Sequence, residues 1–162
     1  MKKILICGAG SYIGVSFEEY MAPLGDKYSI DTLDMQDAAW REHSFSGYDC
    51  VYLVAGIAHR KETKENAHLY YEVNRDLAIE VAKRAKDAGV AQLIFLSSMS
   101  VYGIERGIIT PATEPAPKSN YGRSKLEAEE EMASLCSDDF KICTLRPPMV
   151  YGKGCRGNFG TV

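Results

Sequence analysis

The chain has 162 residues, 46% of them hydrophobic and 25% charged, with a formal net charge of −3, which fits one globular domain with room for a sizeable core. That balance offers no basic field to nucleic acid, and no apolar run is long enough to span a bilayer. Five cysteines, an odd number without a C-x-x-C, and three histidines without ligand spacing suggest neither a disulfide framework nor a metal site, so a reducing cytoplasm is expected.

Met1, Lys2 and Lys3 precede apolar residues as in an export signal, but the apolar run stops at Cys7 and Glu18 and Glu19 follow, so export is not expected. The run Ile4-Leu5-Ile6 suits a parallel strand buried on both faces, and it passes into a turn with Gly8, Gly10 and Gly14. Glycines let a main chain approach a pyrophosphate closely, and a helix over Ser11 to Met21 offers free N–H groups and the positive end of its dipole to the anion. The strict dinucleotide fingerprint fails, because Ile13 stands where its last glycine would be.

Tyr28 to Leu33 reads as the second strand and ends on Asp34, where a carboxylate can accept bonds from both ribose hydroxyls and repel the extra phosphate of NADP. Asp31 and Asp37 lie close by, and any of the three acids could be surface only. A helical turn over Asp37 to His43 leaves little room for a third strand before the buried run Tyr48 to Val54. That run ends in Ala55-Gly56, small residues against which a cofactor could lie. His59 follows and reads as a polar loop residue rather than a base.

Asn66 to Ala88 carries a helical apolar stripe, within which Asn74 either bonds to a neighbouring loop or is exposed. Ala91 to Leu96 is the next strand and opens into Ser97-Ser98-Met99-Ser100, hydroxyls at the strand end where open α/β sheets hold ligands. A proline-bearing loop, Gly103 to Asn120, leads to a helix over Tyr121 to Leu135, and Phe140 to Leu145 is the final strand. Cys7, Cys50 and Cys143 fall in or beside strand-like runs and are expected to be small buried hydrophobes.

Tyr121 and Lys125 are four apart on one helix face. An ammonium about 4 Å from the phenol at an effective dielectric of about 20 is worth roughly 4 kcal/mol. That is enough to bring tyrosinate near neutrality as a base for an alcohol, with Ser98 bonding the same oxygen.

The segments GAGSYIG (Gly8 to Gly14), Asp34, VAG (Val54 to Gly56), SSMSVYG (Ser97 to Gly103), YGRSK (Tyr121 to Lys125) and LRPPMVYG (Leu145 to Gly152) together resemble the extended short-chain dehydrogenase/reductases. Within them, they resemble the NAD-dependent nucleotide-sugar epimerases and dehydratases. The resemblance implies an α/β fold with a Rossmann-type doubly wound parallel sheet, in which residues 1–162 form the NAD-binding domain and a carboxyl-terminal substrate domain is missing. It implies Ser98, Tyr121 and Lys125 as catalytic residues. It places NAD along Gly8, Gly10, Ser11, Tyr12, Ile13, Gly14, Asp34, Met35, Val54, Ala55, Gly56, Asn74, Tyr121, Lys125, Pro147 and Pro148.

The chemistry implied is oxidation of a nucleotide sugar to a keto-sugar by tightly held NAD, then its reduction. The implied assembly is a homodimer through the helices at 66–88 and 121–135. Two departures stand out: Ser11 replaces the middle glycine of the family's turn, and Met149 stands where many members carry an asparagine. The other readings are a noncatalytic NAD(H)-binding regulatory module or an inactive truncated fragment.

Overall fold

The computed structural model describes residues 1–58, 62–152 and 154–155. Five parallel strands form one sheet in the order β2-β1-β3-β4-β5: β1 (Lys2–Cys7), β2 (Tyr28–Leu33), β3 (Cys50–Leu53), β4 (Gln92–Leu96) and β5 (Lys141–Leu145). The glycine turn follows the central strand, whose Ile4 sits between Ile30 of β2 and Cys50 of β3. This is the doubly wound arrangement expected from the sequence.

The crossover between β2 and β3 holds no strand among the described residues. Asp37 caps a short 3-10 turn, Ala38–Glu42, by accepting from Ala39 N, and that turn buries Trp40 in the core. A tight turn that drops an indole into the core leaves no extended stretch to pair, so β2 becomes one edge of the sheet.

Alternation along the strands divides the core in two. Leu5, Cys7, Val51, Leu53, Leu93 and Phe95 face α3 (Leu77–Asp87) and α4 (Asn120–Ala133). Ile4, Ile6, Tyr52 and Val54 face α1 (Tyr12–Met21), with Ile94 and Leu96 at the margin. The second layer covers less of the sheet, and β5 shows it: Cys143 and Leu145 are exposed. Cys143 is therefore not the buried hydrophobe expected, and Cys50 is only half-buried; Cys7 is fully buried. The reason is position, since β5 pairs with β4 alone among the described residues and α1 does not reach it.

The long helix expected over Asn66 to Ala88 is three segments: α2 (Ala67–Tyr71), a π turn (Glu72–Asp76) and α3. A π turn inserts one residue into the helical ladder and aims a side chain that a regular helix would carry elsewhere. Here that side chain is Asn74, completely buried.

Candidate active site

The carboxyl ends of β1, β3 and β4 open onto one crevice. At its floor, Gly8 N and Ala9 N both donate to Leu33 O, which draws the glycine turn against the end of β2, where Asp34 is exposed and its Oδ1 accepts from Gln36 N. Gly8 has φ +130°, and a Cβ on it would come within 2.8 Å of Val54 Cγ2 and 2.9 Å of Ala55 N. Val54 N and Ala55 N both donate to Cys7 O, so β1 and β3 end side by side.

Ser11 caps α1, its Oγ accepting from Gly14 N at 3.1 Å. The serine in place of a glycine thus occupies one of the free N–H groups while leaving the turn intact. Gly10, with φ +70°, has nothing within 4 Å of where its Cβ would stand, so the turn keeps open space beside it. A cradle that is left-handed at Gly8 and Gly10, open at Gly10 and set at a helix N-terminus fits a dinucleotide pyrophosphate. An open apolar depression of about 450 Å³ adjoins it, lined by Ile13, Tyr52, Leu96, Leu145, Arg146, Pro147 and Val150. The segment after β5 then returns to the turn, where a Cβ on Gly152 would lie 2.5 Å from the Tyr12 hydroxyl.

The other half of the site hangs from α4. Ser119 caps this helix through Gly122 N, and Glu62 accepts from both Asn120 N (2.9 Å) and Tyr121 N (3.0 Å). Gly122 brings the helix close to the serine loop, since a Cβ there would stand 2.5 Å from Ser100 O. Close approach brings the Tyr121 hydroxyl to Ser98, which favours the phenolate; the Ser98 Oγ also accepts from Ser100 N and lies 3.1 Å from Ser100 Oγ. Tyr70, buried, packs edge-on against the Tyr121 ring at 6.4 Å.

Lys125 is 4% exposed. Its Nζ donates to Leu96 O at 2.9 Å and lies 4.7 Å from the centroid of the Phe95 ring. A Cβ on Gly56 would meet Asn74 Oδ1 at 2.9 Å and Lys125 Nζ at 3.2 Å, so these three residues touch one point. Asn74 clamps the loop after β3, with Oδ1 accepting from Ile57 N and Nδ2 donating to Ile57 O and to Ser124 Oγ on α4. The amide bonds to a neighbouring loop, one of the two alternatives open from sequence.

The electrostatics depart from the sequence expectation. Burial raises the Tyr121 pKa, and the Ser98 hydrogen bond only partly opposes it. The expectation of a lowered phenol weighed attraction to Lys125 alone and left out the desolvation of the phenol itself. Burial also pulls Lys125 down to about 8, against the opposing pull of Glu129.

Glu129 opens the acidic run Glu129-Glu130-Glu131, yet its side chain is 8% exposed. It accepts from the Ser97 hydroxyl and, through both oxygens, from Arg146, whose other arm donates to Tyr102 Oη at 2.7 Å. Its spacing of four from Lys125 was the available signal. Glu62 had none, because its partners lie 58 and 59 residues away.

Of the residues expected along the cofactor, Gly8, Gly10, Ser11, Tyr12, Ile13, Gly14, Val54, Ala55, Gly56, Asn74, Tyr121, Lys125 and Pro147 lie on the crevice elements just described. Asp34 stands exposed at its β2 end; Met35 sends its side chain into the core, and Pro148 is exposed beyond Pro147. His59 lies outside the described residues. Among the described residues, no three His, Cys, Asp or Glu side chains converge as metal ligands, and no helix is long and apolar enough to cross a membrane.

A parallel sheet with a glycine turn at its centre and a Ser-Tyr-Lys cluster across the crevice defines a Rossmann-type dinucleotide-binding domain of the short-chain dehydrogenase kind. A profile of the NAD dependent epimerase/dehydratase family matches residues 4–161, and the chain belongs to that family. It is 39% identical to a UDP-glucose 4-epimerase of Vibrio cholerae over 99% of this chain and 56% of that protein. It is 28% identical to an N-acetyl-alpha-D-glucosaminyl-diphospho-ditrans,octacis-undecaprenol 4-epimerase of Escherichia coli O157:H7, over 96% of this chain and 51% of that one. The UDP-glucuronic acid 4-epimerase of Bacillus cereus, solved with NAD, superposes with a TM-score of 0.78 at 22% identity, covering 93% of this chain and 57% of that one. The chain thus spans about half the length of the relatives it matches.

Proposed function

We propose that this chain is the NAD-binding, catalytic-residue part of an enzyme that epimerises or dehydrates a nucleotide sugar. The carrying observation is the convergence of Ser98, Tyr121 and Lys125 on the same crevice as the glycine cradle. NAD, when bound, supplies a hydride acceptor that can return what it takes. As phenolate, the Tyr121 Oη would take the proton of the sugar hydroxyl while the carbon-bound hydride leaves to that acceptor, which together leave a ketone, and the phenol would give the proton back on reduction. Ser98 bonds Oη and fixes where the hydroxyl must sit, while the Lys125 ammonium serves the nicotinamide ribose and stabilises the phenolate as it forms. The raised phenol pKa suits the acid half of that cycle in the free protein; a cation held in a dry pocket favours the phenolate in the other half.

Asp34 at the end of β2 supports NAD over NADP, and the names of the relatives support a UDP-sugar. A homodimer through the α2–α3 and α4 helices and a cytoplasmic setting belong to the same proposal. Fluorescence titration with NADH and NADPH tests the binding: NADH is expected to bind more tightly, with Asp34→Ala narrowing the gap. Incubation with NAD and UDP-glucose or UDP-galactose, followed by NMR of the sugar, tests the chemistry. Tyr121→Phe is expected to lower any turnover by roughly 10²- to 10⁴-fold. NADH binding with no turnover of any nucleotide sugar would favour a noncatalytic regulatory module.

A further inference from the structure

Three separate stretches of chain meet at one carboxylate. Glu129 stands one turn beyond Lys125 on α4, receives the Ser97 hydroxyl from the end of β4, and is gripped by Arg146 from the end of β5. Ser97 directly precedes Ser98. Arg146 directly precedes Pro147, whose carbonyl accepts from Met99 N at 3.0 Å. We propose that Glu129 is a positioning residue of this site, a buried carboxylate one helical turn from Lys125 that supplies its counter-charge while locking the serine loop and the strand-end arginine to the helix that carries Tyr121. The proposal rests on the reading of Lys125 as the group that serves the cofactor.

Burying a carboxylate is costly, and a surface ion pair with Arg146 would serve simple cohesion as well. What the buried position adds is a field at Lys125. Among the described residues, the groups about Lys125 are Glu129 one turn on along its own helix, the Leu96 carbonyl and Phe95 ring from β4, Gly56 from the loop after β3, and Asn74 from the π turn. Arg146 is paired to Glu129. Among the described residues of that set, Glu129 is the one carboxylate. Burial drives the ammonium toward losing its proton at about 8, and Glu129 acts against this.

The two roles open to Glu129 give opposite signs. If it supplies the field, Glu129→Gln removes the counter-charge while leaving an amide to meet Ser97, and Lys125 titrates lower, by roughly one to three pKa units. If it only braces the fold, the substitution loosens the packing, admits water and lets Lys125 rise toward its ordinary 10.5.

The experiment follows the Lys125 side-chain carbon shifts against pH in ¹³C-lysine-labelled protein, with Lys125→Met identifying the resonance. A downward shift in Glu129→Gln supports the proposal; an unchanged or higher value overturns it. Should Glu129→Gln fail to fold, the double variant Glu129→Met, Arg146→Met removes both charges together, a replacement that buried pairs often tolerate. Lys125 must again titrate lower. Adding NADH to the same samples separates the two readings: wild-type protein that binds none overturns the functional reading, while the lysine titration, made without nucleotide, still decides the role of Glu129.

Discussion

Burial changes the chemistry of single residues here in ways a solution experiment can read. Cys7 is fully buried and its thiol is pushed up to about 12, whereas Cys136 and Cys143 are exposed. Iodoacetamide is therefore expected to modify Cys136 and Cys143 in the native protein and Cys7 only in denaturant, as mass spectrometry of the peptides would show. Lys125 gives a pH signature. Its pKa in the folded chain is about 8 and its ordinary value 10.5, so between these the unfolded chain holds the extra proton and stability climbs with pH. Cys7 works the other way, because above pH 9.0 the unfolded thiol ionises while the buried one does not. Chemical denaturation is expected to show stability rising from pH about 8 toward 9 and falling beyond, where Cys50, pushed up to about 11 by burial, joins Cys7 against the one lysine, with Lys125→Met abolishing the rise.

The elements that present these residues rely on ties between segments remote in sequence. Glu62 closes two N–H groups at the start of α4, and Glu62→Ala is expected to cost about 1 kcal/mol or somewhat more, read as a lower midpoint in urea. Asn74→Ala leaves Ile57 N and Ile57 O without their partner in a half-buried loop and Ser124 Oγ without its donor in the core, and the expected loss is about 1–3 kcal/mol by the same measurement. Gly122→Ala forces α4 off the Ser100 carbonyl and should weaken the Tyr121–Ser98 bond as well as the fold.

Such ties explain which parts of the site were legible in the sequence. The strands β1, β3 and β4 declared themselves because burial on both faces demands an unbroken apolar run, and the missing strand followed from the short spacing after Asp34. The π turn was hidden because Glu72 to Asp76 keeps a helical composition; only tertiary packing sets where the extra residue goes. Glu129 was hidden inside Glu129-Glu130-Glu131, where local charge says solvent and the fold says core.

At the scale of the whole molecule the two layers are unequal. One face of the sheet carries α3 and α4 over most of its width, while the other carries α1 and leaves β5 mostly exposed. Hydrogen exchange is expected to grade along the sheet, with the amides of Lys141–Leu145 opening at a lower free energy than those of Ile4–Cys7. The strand at that loose rim runs straight into Arg146, one of the hands holding Glu129. Moderate warming should accordingly disarm the protein before it melts it: the reactive corner slackens first, while the phosphate cradle beside β1 keeps its shape.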